Sequence, residues 1–233
     1  NSMAVCSLFP KERSISVEGR LILDKVASFS EVLQFDIPQA NLKLKDALGQ
    51  NIPYKYSEDG GICLTNPLPP GLNTIQFEYQ HTFPASDSAD PYLFVGEDFT
   101  NLEDCWCPTI RLCLTVNGKP SFPAPFMSEL AISSPDDYIA IGTGNKVGEK
   151  HLAGRVTAYF RTERPVARQQ IFAGKYKTIQ GKSAGVSFSI NVRKGLDFKR
   201  ASEMKENVAK ILQFYTDRYG FFPSSELHII QRS

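Results

Sequence analysis

Histidine, clusters of basic residues and long apolar runs are all scarce in this sequence of 233 residues. Three histidines occur, and Lys+Arg 26 nearly balance Asp+Glu 25. This balance, without a basic run, argues against a nucleic-acid-binding surface. The apolar stretches are far shorter than the roughly 20 residues that a membrane-spanning helix needs. We therefore expect no nucleic-acid partner and no direct membrane insertion by this segment.

Cysteine is also sparse. The five cysteines have no regular spacing, which argues against a disulfide framework and favours reduced thiols: Cys6, Cys63, Cys105, Cys107 and Cys113. Cys105 and Cys107 have no second pair nearby at the spacing of a structural zinc site. Charged residues at 11–13 interrupt any signal peptide. Reduced thiols favour the cytoplasm, although the compartment stays open and an extramembrane domain of a membrane protein remains an alternative.

Alternating apolar residues dominate the first two thirds of the chain. Residues 15–23, 33–37 and 75–79 alternate apolar and polar side chains, as half-buried strands do. Short strands at intervals of roughly ten residues are typical of a β-sandwich or a large open sheet. Residues 82–126 are rich in proline and predict a long connection with short strands. The fold class predicted is therefore mainly β.

A helical period replaces this alternation after Gly195. Apolar residues recur at three- and four-residue steps: Ala201, Met204, Val208, Ile211, Leu212 and Tyr215. Gly220 suits the helix C-terminal cap, and Pro223 prevents continuation. Strands at 186–192 and 227–230 flank the helix. We predict a boundary near residues 172–174, with a β-sandwich-like domain over 1–172 and a small α/β fragment over 173–233 that is too short to bury a sound core alone.

The histidines give no recognisable hydrolytic motif. His81 is predicted at a strand end, His151 in a turn, and His228 in the last strand. No two of them lie within one helical turn, so H-E-x-x-H is absent and no metalloprotease zinc site forms from this sequence alone. A Cys-His nucleophilic pair that meets only in space remains an alternative. We assign no catalytic, cofactor-binding or metal-ligating residue.

Two glycine-rich segments and three carboxylate pairs complete the survey. Residues 181–185 have the outline G-x-S-x-G, but a strand follows instead of a helix, which predicts a hairpin turn. Residues 142–148 approximate a phosphate-binding loop without a following helix and are predicted as a turn. The pairs predicted as solvated loops, several of which would rim a cleft, are Glu97-Asp98, Glu103-Asp104 and Asp136-Asp137.

Four segments resemble, in the same order, those of the alanyl-aminopeptidase-type zinc metallopeptidases (gluzincins). The first is L-P-P-G-L-N-T-I-Q-F-E-Y at 68–79, and the second runs from W-C-P at 106–108 through P-A-P-F at 123–126 to I-A-I-G-T-G at 139–144. The third is F-A-G-K-Y at 172–176 with the strand at 186–192. The fourth is I-L-Q-F-Y at 211–215 with Y-G-F-F-P at 219–223 and L-H-I-I at 227–230.

The resemblance implies a saddle-like β domain followed by the first β-α-β segment of a thermolysin-like catalytic domain. It implies a non-catalytic N-terminal fragment that shapes the substrate cleft of an intact zinc aminopeptidase. This fragment would be inactive alone, because the G-x-M-E-N segment, the zinc ligands and the zinc itself would belong to sequence beyond Ser233. The implied partners are the remainder of its own catalytic domain and peptide substrates.

Family members also often use an acidic or amide residue of the N-terminal domain to hold the substrate amine. The sequence aligns no such residue, and the substrate-binding residues stay unassigned. Two other functions remain as alternatives. One is a scaffold or binding module of a catalytically degenerate relative, attached to a membrane transport protein. The other is an unrelated β-sandwich binding module.

Overall fold

The computed structural model describes residues 1–25, 32–37, 40–57, 61–85, 92–103, 106–111, 124–193, 198–222 and 224–231. Strands dominate these ranges, as predicted. The first ten strands are β1 Ser2–Phe9, β2 Ser14–Lys25, β3 Val32–Gln34, β4 Lys43–Lys45, β5 Tyr54–Tyr56, β6 Gly61–Leu64, β7 Gly71–Thr82, β8 Leu93–Val95, β9 Phe99–Leu102 and β10 Thr109–Arg111. The remaining elements are β11 Ser128–Pro135, β12 Ile139–Gly142, β13 Asn145–Leu152, β14 Arg155–Arg161, β15 Ile171–Gly174, β16 Tyr176–Ser183, β17 Val186–Arg193, α1 Phe198–Tyr219 and β18 Glu226–Ile230.

A seven-stranded sheet with the order β13-β14-β11-β1-β2-β7-β4 forms the largest layer. Its central strand β1 pairs parallel with β11 and antiparallel with β2. The apolar side chains predicted on one face of β2 and β7 are buried, among them Ile15, Val17 and Ile75. Burial of alternate side chains is what the period of two requires, so this prediction is confirmed.

Two four-stranded sheets share the core of this layer. Their orders are β10-β3-β6-β5 and β12-β15-β9-β8. Leu33 and Ile62 from the first sheet, and Leu102 and Ile171 from the second, pack in one apolar cluster with the large sheet. Trp106 is fully buried in the same cluster. The Pro-rich stretch, predicted as a long connection with short strands, contains the short strands β8, β9 and β10, which contribute to this core.

The last unit consists of β16, β17, α1 and β18. Ala184 and Gly185 have φ of 50° and 82°, so the β16–β17 connection is a hairpin of the type that takes positive φ at both turn residues. This confirms the hairpin predicted for residues 181–185. α1 crosses between the parallel strands β17 and β18, and Phe188, Ile190, Val208 and Leu212 form a separate apolar cluster. The division at residue 172 stays a prediction.

The predictions for His151 and for residues 142–148 need correction in part. His151 lies in strand β13, not in a turn. Thr143 and Gly144 do form the connection between β12 and β13, and Gly144 has a φ of 100°, as a turn glycine does, whereas residues 145–148 already belong to β13. β13 is almost wholly exposed at the sheet edge, so neither face required apolar side chains and no alternation marked it.

Candidate functional site

The three histidines lie far apart in the topology, on β7, β13 and β18. Within the described ranges, no group of three or more His, Cys, Asp or Glu side chains could hold a metal ion. His81 packs edge-on against Phe83 with ring centroids 4.6 Å apart, and burial lowers the pKa of His81 below its usual value. His151 is exposed, with Nε2 3.3 Å from Glu149 Oε1. The described residues therefore offer no zinc ligand set.

His228 belongs to a network of polar side chains across the three-stranded sheet β16-β17-β18. Its Nδ1 lies 2.7 Å from Ser189 Oγ, and its Nε2 lies 3.5 Å from Glu226 Oε2. Asn191 Nδ2 donates to Ser189 Oγ at 2.9 Å. Ser189 sits in the middle of β17 between β16 and β18, where sheet pairing occupies the backbone amides that would stabilise an oxyanion. This network therefore connects β17 to β18, and we assign it no nucleophilic role.

The cysteines give no reactive pair within the described residues. Cys6 is fully buried, and burial raises the pKa of its thiol far above the usual value. Cys107 Sγ donates to Gln169 Oε1 at 2.9 Å in the core. Cys105 and Cys113, like Asp104, lie outside the described residues, so the Cys-His alternative stays a hypothesis.

Carboxylates from two predicted loops converge around Tyr138. The Tyr138 hydroxyl donates to the carbonyl oxygen of Glu97. Burial, together with the nearby carboxylates of Asp137, Asp98 and Glu97, raises the pKa of Tyr138 to about 12. Lys175 Nζ lies 3.2 Å from Asp137 Oδ2 and 5.6 Å from the Tyr138 ring centroid. The carboxylate pairs 97–98 and 136–137 are thus exposed as predicted, but they also meet at one place.

Strand β9 carries a polar row on the face opposite to Leu102, and neighbouring side chains cover this row, since Asn101 is only 2% exposed. Leu102 packs into the core cluster, so Asn101 and Glu103 lie on the opposite face, because side chains alternate along a strand. Asn101 is paired with Phe94 on one neighbouring strand and with Phe172 on the other. Glu103, just after β9, continues this row and is half-buried.

The sequence interpretation placed Glu103 in a solvated loop and did not single out Asn101. The signal that would have found both is the alternation of Phe99, Asn101 and Glu103, which was hidden inside the Pro-rich stretch. The Phe94 and Phe99 rings lie 4.9 Å apart between centroids, tilted by 33° to one another. The result is a carboxylate and an amide beside aromatic rings, a combination that can bind a cationic group.

The small α/β unit leaves one side uncovered. Leu212 is 0% exposed, but its neighbour Ile211 is 54% exposed, and Met204 and Tyr215 are also exposed. The helical stripe predicted from the sequence is therefore buried along one half only. Helical spacing places Met204, Ile211 and Tyr215 on the flank away from Ala209, whose carbonyl accepts a hydrogen bond from Ser183 of β16. This flank faces the β18 side of the sheet.

The outer edge of β18 is open as well. Ser187 N donates to Ser225 O at 3.0 Å and Gln231 N donates to Asn191 O at 2.9 Å, which fixes the phase of the ladder. The backbone amides of His228 and Ile230 therefore point away from β17. Among the described residues, no strand pairs with this edge. β18 also carries no lysine or proline of the kind that protects exposed edges, whereas β13 has Lys146, Lys150 and a register shift.

A groove of about 720 Å³ crosses the outer face of the seven-stranded sheet. Met3, Val5 and Tyr159 are among the residues that line its apolar part, and charged side chains lie around them. Four of these charges are paired across strands, since Lys43 Nζ lies 2.7 Å from Glu78 Oε1 and Arg161 Nη2 lies 3.1 Å from Glu129 Oε1. No catalytic arrangement of side chains lies in this groove among the residues described.

In the part of the chain that the structure describes, no helix has the length and apolarity of a membrane span. No protein-family model matches the sequence, and no curated protein matches it.

Solved structures do match the fold. An M1 zinc metallopeptidase from Deinococcus radiodurans superimposes with a TM-score of 0.71 at 16% identity, over 100% of this chain and 56% of that chain. A mutant of it bound to the substrate Tyr-Ser-Ala gives 0.70 at 15% identity over the same shares. An aminopeptidase N family protein from Idiomarina loihiensis gives 0.62 at 12% identity, over 98% of this chain and 38% of that chain. This chain thus spans little more than half of the first neighbours, and over its whole length it has a fold found in M1 zinc metallopeptidases.

Proposed function

We propose that this chain is the N-terminal, non-catalytic part of a zinc aminopeptidase, in which it forms one wall of the peptide-binding cleft. The observation that carries the proposal is the uncovered side of the α/β unit. An apolar helix flank and an unprotected strand edge on the same side of one small sheet are both unfavourable in water. Further elements of the same α/β layer would cover both.

Simple spacing supports this continuation. α1 packs over β16 and β17. Neighbouring strands are about 4.8 Å apart, so two strand spacings are roughly 10 Å. A second helix that packed over β18 and over a further strand beside it would therefore lie about 8–10 Å from α1, which is the usual distance between packed helices. That helix would contact Met204, Ile211 and Tyr215. A strand and helix following in the same catalytic domain fit this space.

The polar row of β9 supplies the contact with substrate in this proposal. The free amino end of a peptide is an ammonium group, and it is bound by carboxylate and carbonyl oxygens. Glu103 offers the carboxylate, Asn101 offers the amide oxygen, and the neighbouring rings of Phe94 and Phe99 favour a cation nearby. The Deinococcus radiodurans neighbour was crystallised with a tripeptide, Tyr-Ser-Ala, which carries such a group.

Zinc has no ligand set among the described residues of this chain. In the proposed enzyme the metal, which would polarise the scissile carbonyl and activate water, is held by the catalytic remainder. The role of this chain is then to bind and orient the amino end of the peptide. As one wall of the cleft, it also blocks peptides that extend beyond that end on its side.

The test is the complete reading frame that contains this chain. We expect an H-E-x-x-H motif within it, and zinc-dependent release of p-nitroaniline from alanine p-nitroanilide by its product. The control is the same product with the glutamate of that motif changed to alanine, which should be inactive. The 233-residue chain with added zinc should also be inactive. A complete frame without the motif, or zinc-dependent turnover by the 233-residue chain, would refute the proposal.

A further inference from the structure

Arg193, the last residue of β17, contacts the strand that carries the polar row. Its guanidinium carbon lies 5.0 Å from the Phe99 ring centroid, and Nη2 lies 3.5 Å from Asp98 Oδ2. Its backbone N–H donates to Gln231 Oε1 at 3.0 Å. One residue therefore joins the ends of β17 and β18 to the start of β9.

The two contacts of the guanidinium differ in strength. The Asp98 side chain is 75% exposed, so water and salt screen its attraction to Arg193 strongly. The Arg193 side chain is 31% exposed, and the planar guanidinium is within the 6 Å range at which it interacts with an aromatic face. The contact with the Phe99 ring is therefore the stronger of the two.

The backbone beside this contact leaves little freedom. Lys175 N donates to Asp98 O at 3.2 Å, and Gly96 N donates to Phe99 O at 3.0 Å. A side chain on Gly174 would start 2.8 Å from Asp98 O, closer than atoms normally approach. The turn between β8 and β9 is thus held against the β15–β16 junction by its backbone and against β17 by Arg193.

We propose that Arg193 is a positioning residue, which fixes Phe99, and with it the row of Asn101 and Glu103, to the α/β unit. Phe99 shares its face with both row residues, so a shift of its ring moves the start of the row. The contact makes the row and the α/β unit one body. The importance of the row for substrate rests on the proposed function, whereas the coupling itself rests on these contacts.

Amide hydrogen exchange of the 233-residue chain tests the coupling. Arg193→Lys keeps the charge and removes the planar group, and Phe99→Leu keeps an apolar side chain and removes the ring. Each should speed exchange of the Lys175 amide by about tenfold, a change of ~1.4 kcal/mol in local opening. Asp98→Asn should speed it by less than about threefold. The double variant Arg193→Lys with Phe99→Leu should exchange no faster than either single variant.

Two results would overturn the proposal. One is unchanged exchange in Arg193→Lys, and the other is an effect of Asp98→Asn equal to that of Arg193→Lys. In the complete enzyme, Arg193→Lys should raise KM for peptides with little change in kcat, as loss of positioning of the amino end requires. If the complete reading frame lacks a zinc motif, the proposed function is refuted, but the exchange result still supports the coupling. If the complete enzyme is active and exchange is unchanged in Arg193→Lys, only the role of Arg193 is refuted.

Discussion

Trp106 Nε1 donates a hydrogen bond to the backbone carbonyl of Gln169 at 2.8 Å, inside the β core. The side chain of Gln169 is satisfied by two further groups, since Cys107 Sγ donates to its Oε1 at 2.9 Å and its Nε2 donates to Ser128 Oγ at 2.7 Å. Gln169 is 2% exposed. This single amide thus fastens the chain around Trp106 to the start of β11.

Replacing Gln169 by alanine should lower the free energy of unfolding by about 1–3 kcal/mol, because buried groups on Cys107 and Ser128 lose their partner. The measurement is urea unfolding followed by the fluorescence of Trp106, the single tryptophan of the chain. Gln170→Ala is the matched control, since the backbone N–H of Gln170 keeps its bond to Thr143 Oγ1. Equal effects of the two substitutions would contradict this account.

Leu212→Ala and Ile211→Ala form a second matched pair. Leu212 is fully buried in the α/β cluster, so its truncation should cost about 2–5 kcal/mol. Ile211 is exposed, and its truncation should change stability by less than about 0.5 kcal/mol. Chemical denaturation monitored by far-ultraviolet circular dichroism measures both. A large loss for Ile211→Ala would mean that its flank is already covered within this chain.

The sequence predicts the strands that bury one face and misses those that bury neither. Alternation along β2, β7 and β17 is visible because each packs one side against a core. β13 lies at an exposed edge, so its charged residues follow no alternation, and the sequence predicts a turn at His151 where the strand in fact continues. The stripe on α1 was predicted because periodicity reports which residues are apolar. It does not report that Ile211 remains uncovered, since that depends on the width of the sheet beneath.

The sites depend on topology more than on local pattern. Glu97 and Asp137 meet at Tyr138 because β9 and β12 flank β15, an order that no local signal encodes. The row of Asn101 and Glu103 occupies a short strand between proline-rich stretches, where period-two alternation has too few residues to stand out. The motif G-x-S-x-G, in contrast, was correctly interpreted as a hairpin because the strand that follows it is itself recognisable.

Gly19→Ala should destabilise the seven-stranded sheet. An added Cβ at Gly19 would collide with the carbonyl oxygen of Met3 and with the ring of Phe77, and overpacking of this kind typically costs about 1–3 kcal/mol. Gly148→Ala is the control on β13, where no atom lies within 4 Å of the added carbon. Thermal unfolding should give a lower Tm for the first variant and an unchanged Tm for the second.

Glu103→Gln tests the proposed contact with the substrate amine in the complete enzyme. Removing the negative charge should raise KM for alanine p-nitroanilide by roughly tenfold or more, since a bond to an ammonium group is charge-assisted. Glu97→Gln provides the control, because Glu97 is an exposed side chain on the turn before β9. A KM that responds equally to both substitutions would speak against a specific role for Glu103.

Stability should fall as the pH drops toward 5, in part through His81. Burial lowers the pKa of His81 from the usual 6.5. Between its folded pKa and about 6.5, the unfolded chain binds more protons than the folded chain, so acidification favours unfolding in that window. His81→Gln should flatten the dependence of the urea midpoint on pH between about 7.5 and 5. An identical slope in the variant would show that other groups carry the dependence.

The central position of β1 has a consequence for synthesis on the ribosome. Residues 2–9 leave the exit tunnel before the other strands of this sheet and can pair early with β2. Their other edge has to wait for its parallel partner β11, at residues 128–135. At translation rates of about 5–20 residues per second, that wait is on the order of ten seconds. Until β11 is synthesised, the β1–β2 hairpin exposes an apolar face, to which chaperones that recognise exposed strands can bind.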